Sequence, residues 1–144
     1  MRGMPFQRKD DGSKVTMTCE GASEKDVFID AGHALFDVIA KDNKIRGDVR
    51  QEIVLQAEDM SALFKAWLKE LMSRVTDMGM LYADFDVFSI QKVGTSSVLT
   101  GALYGESQDQ ERHTVNTSAR LNETKVTCNK KTGAVSCSFS FDIK

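Results

Sequence analysis

The chain contains a single proline, Pro5, and no apolar run near the roughly 20 residues that a helix needs to span a bilayer. Its opening, MRGMPFQRKDDGSK, also lacks the apolar core of a signal peptide. These two absences lead to the expectation of a cytosolic protein. Cysteine is scarce, with Cys19, Cys128 and Cys137 forming an odd set without CxxC spacing. That suggests neither a disulfide framework nor a zinc site and reads as reduced packing residues. Charge of one sign is lacking as well. A formal net charge of −2 argues against a domain whose main work is gripping phosphate, since such domains carry a basic face. Familiar catalytic signatures are absent: there is no P-loop, no GxGxxG after a strand, no HExxH and no GxSxG.

Against these absences stands one segment with a regular apolar stripe, EDMSALFKAWLKELMSRVTDMG from Glu58 to Gly79. Leu63, Phe64, Trp67, Leu68, Leu71, Met72 and Val75 recur at the spacing of one helix face, while Lys65, Lys69, Glu70, Ser73 and Arg74 fall on the other. Asp59 or Ser61 can cap its start, and Gly79 suits a left-handed end. Ser23 and Asp26 resemble a capping box opening another helix that runs to about Ala40, with Val27, Phe28, Ala31, Leu35, Val38 and Ile39 as its buried face. His33 lies away from that stripe.

The remainder is rich in strand signals. Val15, Met17 and Cys19 alternate with threonines, Val49, Ile53 and Leu55 lead into the Glu58–Gly79 helix, and Leu81–Ile90, Ser97–Tyr104 and Thr117–Val126 follow it. In the last segment Val135, Cys137, Phe139, Phe141 and Ile143 alternate strictly with polar residues, after a hairpin turn at Lys131, Thr132 and Gly133. The 144 residues suffice for one domain with its own core. The expected fold class is α+β: two helices packed on a mostly antiparallel or mixed sheet of about six strands, as residues 14–144, after a polar N-terminal arm at residues 1–13.

Few residues point to chemistry. Glu106, Asp109, Glu111 and His113 crowd into GESQDQERH between two strands, a set able to bind a hard cation or arrange acid–base chemistry, or simply to form a solvated acidic loop. Asp142 falls on the face opposite the phenylalanines, near the C-terminal carboxylate of Lys144, where oxygen ligands suit Ca²⁺ or Mg²⁺. A polar strand end is the plainer reading of the same residue. Lys125, Lys130 and Lys131 have no interleaved aromatics and fit a solvated hairpin tip. Nothing in the pattern joins Cys128 or Cys137 to His113 as a hydrolase pair.

Four pieces together resemble the archease family: AGHALFDVI, EDMSALFKAWLKELM, GESQDQERH and the terminal FSFDIK, in register over about Val15–Lys144. The resemblance implies a small non-enzymatic accessory protein of the RtcB-type tRNA-splicing RNA ligase, one that promotes guanylylation of the ligase and its multiple turnover. It implies the ligase as a protein partner, no direct grip on nucleic acid, and Glu106, Asp109 and His113 as residues that order a site or meet that partner. It also implies a divalent cation, calcium, held by an aspartate of an N-terminal H-T-A-D motif together with Asp142 and Ile143. The first half of that motif differs here, because counting back from Gly21 puts Lys14 at the aspartate position and Asp11 at the histidine position. Either Asp11 or Asp10 supplies the carboxylate, or Lys14 pairs with Asp142 in place of the ion. The segment before the last hairpin departs too, reading SARLNET at Ser118–Thr124 where the family has tyrosine and histidine. The readings that compete with the activator are a divergent archease-like binding module with another partner and a metal-dependent hydrolase built on Asp142 and the acidic loop.

Overall fold

A computed structural model describes residues 6–12, 14–40, 45–108, 120–128 and 135–142. Its elements run β1 (Phe6–Asp11), β2 (Lys14–Gly21), α1 (Glu24–Ile39), β3 (Val49–Ala57), α2 (Met60–Met78), β4 (Met80–Val93), β5 (Ser96–Ser107), β6 (Arg120–Cys128) and β7 (Val135–Asp142). The α+β class is as expected. The strands divide between two sheets, one of order β1-β2-β7-β6 and the other β3-β5-β4, with every pairing antiparallel.

Both helices begin and end where local chemistry directs. Ser23 caps α1 by accepting from the Asp26 N–H, and Asp59 caps α2 by accepting from the Ala62 N–H at 2.8 Å. Gly79, at φ 66°, turns the chain out of α2 in the left-handed region, where its N–H meets the Arg74 and Val75 carbonyls. Leu63, Phe64, Trp67, Leu68, Leu71 and Val75 of α2 are buried and Met72 is half-buried. Full burial of the six contributes roughly 9 to 18 kcal/mol as an upper estimate.

Each helix touches both sheets, so the helices form a middle layer. This explains why α1 is buried around most of its circumference, leaving Lys25, Ile29, His33 and Asp37, spaced one turn apart, along its outer edge. Trp67 sits at the centre. Its indole Nε1 donates to the Phe28 carbonyl at 2.9 Å, and its ring lies 6.1 Å from that of Phe28 and 6.0 Å from that of Phe85. Phe64 carries the packing to the other sheet through Phe139, 6.0 Å away. The alternation of β7 is as expected, with Val135, Cys137, Phe139 and Phe141 buried; Lys131, Thr132 and Gly133 of the expected turn lie outside the described residues.

Two expectations need correction. Residues 6–11 are not an arm but an edge strand paired along its whole length with β2. The strand is held further by Phe6 against the core and by Arg8, whose Nη1 lies 2.9 Å from Asp37 Oδ2 on α1. Second, Glu106 does not sit in a loop. The strand β5 continues to Ser107, and Glu106 is 8% exposed.

Candidate functional site

The antiparallel register gathers three of the residues singled out in the sequence. Asp11 ends β1, Lys14 opens β2 and Asp142 ends β7, and the pairings Asp11↔Lys14 and Lys14↔Asp142 set them in one row. On its other side Asp142 is paired with Arg120 of β6. The row therefore crosses β1, β2 and β7 with charges in the order minus, plus, minus. Asp11, Lys14 and Asp142 are all exposed. Cross-strand neighbours stand about 5 Å apart at Cα. Close ion pairs among the described residues lie elsewhere: Arg8 with Asp10 and Asp37, Arg50 with Glu52, and Arg74 with Glu70.

A divalent ion does not fit this set. Asp11 and Asp142 are separated by the whole of β2, about 10 Å at two strand spacings. Oxygens that share one calcium lie within about 5 Å of each other. The space between them belongs to Lys14, and a dication 4 Å from an ammonium is opposed by about 2 kcal/mol even at the dielectric constant of water. That is half of the roughly 4 kcal/mol that a millimolar site supplies. No cluster of three or more metal-ligating side chains occurs among the described residues. Ser140, one step inward on the same face of β7, has a buried Oγ without a partner. A hydroxyl is neutral and both donates and accepts, so one water satisfies it without a cation.

Glu106 lies apart from the row, in the other sheet. Its Oε2 accepts from the Arg46 backbone N–H at 2.5 Å, tying the segment that leads into β3 to the end of β5. This is the geometry of a structural tether. Asp109, His113 and Ile143, the remaining predicted site residues, lie outside the described residues.

Sequence reasoning passed over a cleft of about 430 Å³ between β1, α1 and β4, lined by Phe6, His33, Phe36, Asp37 and Tyr82 among others. His33 meets Phe85 edge-on at 5.1 Å, and its Nε2 lies 3.6 Å from Asp84 Oδ1. The signal available was the one-turn spacing of His33 and Asp37. Phe6 is at the far end of β1 from Asp11, so roughly 17 Å of strand separates this cleft from the charged row.

The fold defines a class: a small α+β protein whose two helices lie between two antiparallel sheets, with the ends of β1, β2 and β7 gathered in one charged row. The model of the archease protein family (MTH1598/TM1083) matches residues 6–143, and the chain belongs to this family. Among its relatives, Protein archease of Pyrococcus furiosus is 36% identical over 93 residues, spanning 65% of each chain. Protein archease of Methanosarcina barkeri is 28% identical over 108 residues, 75% of this chain and 74% of that one. The solution structure of Methanobacterium thermoautotrophicum protein 1598 shares the fold with a TM-score of 0.78 at 18% identity, covering 98% of this chain and all of that one. The crystal structure of an archease and possible chaperone from Thermotoga maritima aligns over 99% of this chain and 97% of its own, with a TM-score of 0.50 at 15% identity.

Proposed function

We propose that this chain is a non-enzymatic activator of an RtcB-type RNA ligase, acting in the cytosol on tRNA splicing by promoting guanylylation of the ligase and its repeated turnover. The observation that carries the reading is the family match over residues 6–143. A protein-directed role is supported by the description of the Thermotoga maritima relative as a possible chaperone. The formal net charge of −2 agrees with a protein that meets a ligase and leaves the RNA to the ligase's own basic surface. In this reading Asp109 and His113, in the segment after β5, meet the ligase, and Glu106 holds the strand from which that segment departs.

The test is direct. Substoichiometric protein added to the cognate ligase with GTP and magnesium is expected to raise both the guanylylated fraction and the number of ligations per ligase molecule. An unchanged guanylylated fraction at a molar excess of this protein would defeat the proposal.

A further inference from the structure

We infer that the charged row at the ends of β1, β2 and β7 carries its own cation: the Lys14 ammonium supplies, between Asp11 and Asp142, the positive charge that a divalent ion would otherwise bring, and this end of the sheet is metal-independent. The inference rests on register and charge, and it stands whether or not the ligase proposal holds. Asp11↔Lys14 and Lys14↔Asp142 are direct antiparallel partners, so the ammonium stem rises between two carboxylates on neighbouring strands. Asp142 has a second basic residue, Arg120, as its partner on the remaining side. Each carboxylate in the row thus has Lys14 as a direct cross-strand neighbour.

The alternation matters more than the count. If a lysine stood beside a pair of adjacent carboxylates, it would leave them free to share an ion. Here it separates them, and any ion drawn to Asp142 is met by Lys14 on one side while Arg120 occupies the paired position on the other. Exposed charges of opposite sign in direct register attract modestly and lose little desolvation energy, so the arrangement is stable in water without a ligand.

The probe is calcium itself, titrated calorimetrically into the full chain after EDTA treatment and dialysis, with thermal melts in EDTA and in calcium. The wild-type protein is expected to give no saturable heat up to millimolar calcium and the same melting temperature in both buffers. Lys14→Asp, which places three carboxylates side by side, is expected to gain saturable binding with a dissociation constant on the order of 10⁻⁴ to 10⁻³ M. Its melting temperature should rise with calcium, and Asp142→Asn in the same background should remove the gain. Tight stoichiometric binding by the wild-type protein that Asp142→Asn abolishes would overturn the inference. Should Lys14→Asp fail to fold, the wild-type titration still decides.

Discussion

Cys19 and Cys137 face each other across β2 and β7, both free and buried. Their hydrogen bonding, together with burial, pushes the Cys137 thiol far above the usual range. The sign of the consequence follows from proton counting. Above the unfolded thiol's pKa of about 8.5, the unfolded chain has released a proton that the native chain still holds, so stability falls as pH rises. One such thiol costs about 1.4 kcal/mol between pH 7.5 and 9.5. Urea unfolding across that interval should therefore show a steeper loss for the wild-type chain than for Cys137→Val, and equal slopes would refute the assignment. At this scale the sequence was readable in part. The cysteines were recognisable as packing residues from their alternation, and Lys14 could be set against Asp142 because no gap intervenes between Lys14 and Gly21. Glu106 was not readable, because Gly105 beside it has the look of a turn residue.

The reason Gly105 is a strand glycine lies in the pairing of two elements. Register shifts in β4 fall between Tyr82 and Asp84 and between Val87 and Ser89, and the β5 residues paired beside them are Gly105 and Gly101. A Cβ at Gly105 would lie 1.9 Å from the Leu81 carbonyl oxygen, and one at Gly101 would lie 2.3 Å from that of Asp86. The bulged strand approaches so closely that no side chain fits. Gly105→Ala should cost about 1–3 kcal/mol or more, because the obstacle is backbone and cannot rotate away. Gly47→Ala, where the nearest atom is the Tyr104 Cβ at 3.4 Å, should be nearly neutral in the same denaturation assay. A comparable loss in both variants would mean that the bulges do not set this requirement. Bulges are properties of two strands at once, and so they escape a reading that takes segments singly. The edge strand β1 escaped for a related reason: it is exposed on five of its six residues, with no buried face to impress a period of two on FQRKDD.

On the scale of the whole molecule, the helices were legible because each carries its own caps and stripe, whereas the division of strands into two sheets was not. Nothing local in β2 announces that it will pair with β7, more than 100 residues further along the chain. The order β1-β2-β7-β6 closes the first and last strands into one sheet, so that sheet is completed only by long-range contacts. What binds it to the sheet β3-β5-β4 is the helical layer, with Phe64 reaching Phe139 on one side and Trp67 reaching Phe85 on the other. Two sheets that share one middle layer cannot lose it separately, and the fold should therefore unfold in a single step. The chain's single tryptophan is a built-in reporter for this. Trp67 is fully buried where α1, α2 and β4 meet, so its emission follows the middle layer, while far-ultraviolet circular dichroism follows both sheets and both helices. In urea the two signals should share one midpoint and one slope. A tryptophan transition that precedes the loss of circular dichroism would show a sheet surviving without the helices, and the single shared core would have to be abandoned.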